Sequence, residues 1–257
     1  MKNFGLAALL SAVASCFSTA APGGTPGVAE DLSGDYYFKN ISMQQGLSHT
    51  TVTSIIQDRR GFIWFGTHNG LNRFDGKMFR IYNSGNSDLE RNFTSGLMED
   101  SSGRLWVGTD DGIFLYNPDT DKIEKFKDTP EAGLFMDSQI TCFVEDDRGN
   151  VWASAEKYGL FRISPSGGKV ERKVSTVGKP NIYKFFMDGS KLWISYYSDN
   201  LYVADTTART EPKPSRDNLG EERFKGDVVH CISGDGRGNL YVSSKKGLFR
   251  IDIATHE

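Results

Sequence analysis

From Val52 to Ile251 the chain alternates short apolar-rich runs with clusters of Gly, Asp, Asn and Ser. Runs such as Val52-Thr-Ser-Ile-Ile56 and Ile140-Thr-Cys-Phe-Val144 are rich in β-branched and aromatic residues and read as strands. The pattern repeats as whole blocks: GFIWFGTHNGLNRFD (61–75), GRLWVGTDDGIFLYN (103–117), GNVWASAEKYGLFRI (149–163), SKLWISYYSDNLYVA (190–204) and GNLYVSSKKGLFRID (238–252) align directly. Their aromatic anchors, Trp64, Trp106, Trp152, Trp193 and Tyr241, stand 42, 46, 41 and 48 residues apart.

Each copy predicts four short strands. The first leads into a turn such as Asp58-Arg-Arg-Gly61, where Asp can bond its own backbone and Gly supplies positive φ. The second strand carries the anchor. A second tight turn, His68-Asn69-Gly70 or Asp110-Asp111-Gly112, is a hairpin signal. A third strand (Leu71-Asn-Arg-Phe74, Leu160-Phe-Arg-Ile163) follows, then a more variable fourth (Met78-Phe-Arg-Ile-Tyr82). Four antiparallel strands at this period are a β-propeller blade. Helical solenoids of similar period need long runs without Gly in each copy, whereas Gly recurs at the turn positions of four of the five copies. The predicted fold is therefore all-β, a β-propeller of five four-stranded blades over residues 36–257, as a closed five-bladed ring or part of a larger propeller. The fifth repeat stops after its third strand, and Tyr36–Ile41 reads as a spare strand that could complete it, hiding an exposed edge.

Residues 1–20 have another character. One Lys precedes an apolar stretch and then small residues, the pattern of a secretory signal peptide. The stretch is shorter than the about 20 residues that span a bilayer. Ser18-Thr19-Ala20 offers a cleavage site, while Val13-Ala14-Ser15-Cys16 resembles a lipobox that would leave Cys16 lipidated. Residues 21–35, rich in Ala, Gly and Pro, read as a flexible linker. The expectation is an exported, periplasmic protein with no membrane-spanning segment in its mature chain. With 30 Lys+Arg against 33 Asp+Glu, the charge balance also removes nucleic acid as a partner.

The spacing Asp-x-x-Gly-x-x-Trp-x-Gly-Thr-x-x-Gly-Leu, at Asp58–Leu71 and nearly at Asp100–Ile113, resembles the two-component regulator propeller repeat. The run-in from Phe38 to Ile55 is similar to the start of the exported sensor half of hybrid two-component histidine kinases. That resemblance implies glycan sensing in the periplasm. Repeats three to five depart from the pattern: Ala153-Ser154 replaces Gly-Thr, and Ser190 and Asn200 replace both glycines of repeat four. The β-sandwich, membrane helix and kinase modules that usually accompany such sensors are not in this sequence, so kinase activity is not assigned to it.

Recurrence of the aromatic anchors at one offset points to blade-to-blade packing instead of sugar stacking. The first-turn Asp residues sit one per blade, which suits turns better than a calcium site needing six to eight converging oxygens. No glycosidase-type carboxylate pair stands out. Neither a phosphate loop nor a metal-ligand spacing among His49, His68, His230 and His256 is present, so no cofactor and no metal are expected. Cys142 and Cys231 hold equivalent positions in non-adjacent blades and are predicted to be free, buried thiols.

The second turns and the connectors of most variable length, such as Asn83–Asn92, fall at one end of the predicted barrel, where loops carry function. His68, Asn69, Asp110, Asp111, Tyr158, Tyr196 and Tyr197 are the candidate ligand-binding residues there; the three tyrosines break the repeat pattern and could stack on a sugar. The leading expectation is a non-enzymatic sensing propeller with an oligosaccharide ligand, lacking its kinase portion here. The alternatives are a propeller that docks a protein partner and a small five-bladed glycan-active enzyme.

Overall fold

The computed structural model describes residues 40–126, 138–166, 170–174, 182–196, 201–206, 224 and 227–254. The signal and linker segments, Cys16, residues 36–39 of the expected spare strand, and Tyr197 lie outside the described residues. Asn40 and Ile41 are described and lie in no strand.

The chain is an antiparallel β-propeller. Blade 1 is β1 (Val52–Gln57), β2 (Ile63–Thr67), β3 (Gly70–Phe74) and β4 (Phe79–Tyr82). Blade 2 is β5 (Thr94–Glu99), β6 (Leu105–Thr109), β7 (Gly112–Asn117) and β8 (Lys122–Lys125). Blade 3 is β9 (Ile140–Glu145), β10 (Val151–Ala155), β11 (Gly159–Ile163) and β12 (Val170–Val174). Blade 4 contributes β13 (Ile182–Asp188), β14 (Lys191–Tyr196) and β15 (Leu201–Asp205), and blade 5 contributes β16 (Val229–Gly234), β17 (Asn239–Ser244) and β18 (Gly247–Asp252). In every sheet the strands pair in chain order.

The inner strands β1, β5, β9, β13 and β16 pack in succession, each against the next. Among the described residues no packing of that extent joins β16 to β1. Four apolar cores fill the gaps between neighbouring sheets. Trp64 lies with Leu105, Val107 and Phe114 of blade 2, and Trp106 with Val151, Ala153 and Phe161 of blade 3. Trp152 lies with Leu192 and Ile194 of blade 4, and Trp193 with Leu240 and Val242 of blade 5. All four indoles are fully buried, as expected of packing anchors. Truncating a side chain of this size in a core costs about 3–5 kcal/mol.

The repeat consensus has a local reason at each position. Asp58 Oδ1 accepts the N–H groups of Arg60 and Phe62, closing the first turn, while Oδ2 accepts the Trp64 indole N–H at 2.9 Å. Asp100 and Asp146 repeat this with Trp106 at 2.8 Å and Trp152 at 2.9 Å. The Asp therefore ties the turn to the core, a link the spacing alone did not reveal. Thr67 Oγ1 donates to the Gly70 carbonyl and accepts the Asn69 N–H, bracing the second turn; Thr109 does the same in blade 2. Gly70 has φ +99°, and a Cβ there would run into the Tyr82 carbonyl oxygen. Repeat four keeps a turn glycine one place earlier than its siblings: Gly189, at φ +53°, makes a two-residue hairpin between Asp188 and Lys191.

Cys142 and Cys231 are free and half-buried, more accessible than the sequence predicts. Burial pushes both thiols above their ordinary pKa, with Lys184 opposing the shift.

Candidate functional site

The second turns of blades 1 and 2 meet across the connector that leads from β4 to β5. The connector is held by backbone: the Gly70 N–H donates to the Asn92 carbonyl at 2.6 Å, and Asn92 Nδ2 donates to Asn69 Oδ1 at 3.1 Å. Its next residue, Phe93, places its ring 4.8 Å from His68, tilted by 57°. His49 stacks on His68, with centroids 5.4 Å apart and planes 17° from parallel. His49 Nδ1 accepts the Thr51 N–H at 2.9 Å, which leaves the proton of a neutral imidazole on Nε2. His68 is exposed, while His49 and Phe93 are half-buried. Together the three rings make a ledge at the second turn of blade 1.

Polar groups flank the ledge. Arg91 extends from the connector over the blade 2 turn, 3.6 Å from Asp110 Oδ2 and 3.5 Å from Asp111 Oδ1. Those contacts are long, and the Arg91 side chain stays largely in solvent. Asp110 Oδ1 is enclosed and accepts no hydrogen bond within the described residues. Burial raises the Asp111 carboxyl above its ordinary pKa; Arg91 opposes this, and Asp110 and Glu90 reinforce it. Amide, carboxylate and guanidinium groups beside an exposed ring can hydrogen-bond and stack on a polyhydroxylated ring.

Of the predicted site residues, His68 and Asn69 on the blade 1 turn and Asp110 and Asp111 on the blade 2 turn are therefore linked through the connector residues Arg91, Asn92 and Phe93, with Asp111 itself buried. Tyr158 is half-buried and packs on the core between blades 2 and 3. Tyr196 corrects its expectation: it is only 5% exposed, edge-on to Tyr202 within the core between blades 3 and 4, and has no face to offer a ligand. It alternates inward along β14 with Ile194, which the sequence breakdown of repeat four concealed. Sequence reasoning missed His49, Arg91, Asn92 and Phe93 as parts of the site. Only the variable length of the Asn83–Asn92 connector hinted at Arg91 and Asn92, and nothing in the sequence hinted at His49 or Phe93, because their meeting with the second turns is a tertiary contact.

The opposite end carries a cavity of about 200 Å³ between the first turns of blades 1 and 2, lined by Arg59, Arg60, Glu99 and Tyr116. Its cations are already engaged, Arg59 with Glu99 at 3.1 Å and Arg60 with Asp58 at 3.1 Å. Beside it, Asp121 accepts from Tyr82, Tyr116 and Arg73, and Arg73 lies among the rings of Phe62, Trp64, Tyr82 and Tyr116. This network clamps blade 1 to blade 2.

Residues 46–69 and 88–111 match the family described as the two component regulator propeller. Histidine kinase P4 of Formosa agariphila is 43% identical over 54 residues, which are 21% of this chain and 4% of that protein. Among solved structures, the extracellular domain of the hybrid two component system BT3049 from B. thetaiotaomicron aligns with a TM-score of 0.70 at 23% identity, over 85% of this chain and 31% of that one. The extracellular domain of BT4673 from the same organism aligns with a TM-score of 0.64 at 21% identity, over 82% and 30%. At these identities the likeness is one of fold, and the chain spans less than a third of each of these three proteins.

Proposed function

Because the chain carries two-component regulator propeller repeats, we propose that it is the ligand-sensing amino-terminal portion of an exported, glycan-responsive two-component sensor. Export rests on the signal-like residues 1–20, with Cys16 as the lipidation point if the lipobox is used. The observation that carries ligand sensing is the His68 ledge, flanked by Asn69, Asp110 and Arg91. The reading is non-enzymatic: Asp110 and Asp111 lie on one turn beneath one guanidinium, whereas a glycosidase holds two carboxylates across a cleft.

Calorimetric titration with a panel of neutral oligosaccharides tests it. One or more should release heat, and His68→Ala should weaken that ligand about tenfold, the loss of about 1.4 kcal/mol of contact. Silence across the panel with the folded chain overturns the glycan reading. The protein-docking alternative is favoured by a different observation, the exposure of Leu248 and Tyr241 on blade 5.

A further inference from the structure

The first turns of the five repeats read Asp58-Arg-Arg-Gly61, Asp100-Ser-Ser-Gly103, Asp146-Asp-Arg-Gly149, Asp188-Gly-Ser190 and Asp235-Gly-Arg-Gly238. Asp and Gly recur because they build the turn. Two consecutive arginines stand in the blade 1 turn alone, so turn formation does not account for them. Both line the cavity of about 200 Å³ at this end of the propeller, opposite Tyr116 and Pro118 of blade 2.

The acceptors of this cavity are spent inward, and its donors remain outside. Glu99 pairs with Arg59 Nε through Oε1 at 3.1 Å and accepts the Arg59 N–H on Oε2 at 2.8 Å. Asp58 accepts two turn amides, the Trp64 indole and Arg60 Nη2. These two carboxylate side chains are 13% and 3% exposed, against 52% and 43% for Arg59 and Arg60. Arg59 is braced further: Nη2 donates to the Asp100 and Ser101 carbonyls at 2.8 and 3.1 Å, and its Cζ lies where a Cβ on Gly103 would come within 3.0 Å. Arg59 Nη1 makes no hydrogen bond among the described residues, and the Arg60 guanidinium, 5.4 Å from the Tyr116 ring centre, hydrogen-bonds Asp58 through Nη2 only. The acids nearby are already paired, Asp121 with Arg73 and Arg80, and Asp100 with Arg104. A solute entering the cavity therefore meets two fixed guanidinium groups whose counter-charges lie beneath them.

We propose that this cavity is a second binding site, which takes a small ring compound bearing one carboxylate. The carboxylate receives the remaining N–H groups of Arg59 and Arg60, the geometry that planar guanidinium groups favour, and the ring rests on the wall of Tyr116 and Pro118. Asp58 and Glu99 remain beneath the arginines, so the surplus positive charge is small and suits a singly charged group better than a phosphate dianion. The volume lies below the about 300–1,000 Å³ of drug-sized sites, which limits the occupant to a single ring. The site is separate from the His68 ledge, which stands at the other end of the blades.

Calorimetric titration of the full chain with glucuronate, cyclohexanecarboxylate, glucose and inorganic phosphate tests this. At least one of the two carboxylates should bind saturably, and the tighter of them tells a sugar acid from a hydrocarbon acid. Glucose and phosphate should not bind. Arg59→Gln and Arg60→Lys should each weaken the carboxylate about tenfold, the loss of one charge-assisted hydrogen bond. Arg60→Lys keeps the charge beside Asp58, so it carries the test if circular dichroism shows Arg59→Gln unfolded. His68→Ala should leave the affinity as it is. Four results overturn the proposal: neither carboxylate binds, phosphate or glucose binds as tightly, Arg60→Lys binds like wild type, or His68→Ala abolishes binding and so puts the carboxylate on the ledge. Silence from neutral oligosaccharides bears on the ledge alone, so the two sites fail separately.

Discussion

Replacing Asp100 with Ala removes an acceptor that serves the turn and the core at once. Its side chain is fully buried and accepts from the backbone N–H groups of Ser102 and Arg104, from Arg104 Nε and from Trp106 Nε1. The turn amides and Arg104 lie near solvent and regain water, so their loss resembles that of a helix cap, about 1 kcal/mol. The Trp106 N–H cannot do so; an unsatisfied buried donor costs about 1–3 kcal/mol. The sum is about 3 kcal/mol. Asp235 makes the same turn bonds to Arg237 and Asn239, but Tyr241 has no indole to donate. Asp235→Ala should therefore cost only about 1 kcal/mol. Urea denaturation of both variants, compared at constant m, measures the gap, and a cycle with Trp106→Phe isolates the indole bond. Equal losses in the two variants, or no coupling in the cycle, would refute the reasoning.

Other perturbations have equally definite outcomes. Gly70→Ala should lower the melting temperature more than Gly61→Ala: both positions have positive φ, costing about 1–2 kcal/mol for an L-residue, but only Gly70 also meets a carbonyl oxygen. At Asp121 burial raises the carboxyl pKa, but the Tyr82 and Tyr116 hydroxyls with Arg73 and Arg80 outweigh it and hold the group below the ordinary carboxylate value. A depressed folded value gives stability that is present above the unfolded pKa of about 3.9 and lost as pH falls through the folded value. The stability gap between wild type and Asp121→Asn, followed by denaturation from pH 6 downward to about 3, should accordingly narrow with acid. Burial also raises the Cys142 thiol above its ordinary pKa, so with Cys16 and Cys231 both replaced by Ala the remaining thiol should react with a disulfide reagent slowly until the chain is unfolded.

Much of the fold was legible because propeller packing is periodic. An anchor that must fill the same gap in each blade recurs at one offset, so Trp64, Trp106, Trp152 and Trp193 announce their burial in the sequence. Turn chemistry is local, and Asp58 and Gly70 reveal it through residue type. The candidate site was half legible. His68, Asn69, Asp110 and Asp111 lie on the turns where topology placed them, whereas Phe93 and His49 join them only through contacts across the fold. Tyr196 misled because a tyrosine that breaks a repeat looks alike in sequence whether it faces solvent or core.

The sequence by itself determined the strand order, the turns and the repeating interface, because each depends on residues within one period of about 40–45 positions. Only the tertiary structure decided which copies of that interface are filled. Leu71 and Leu248 occupy the same place in the same motif, yet one is sealed by the next sheet and the other faces water. Burial belongs to the pair of surfaces that meet, and a repeat carries only one of them.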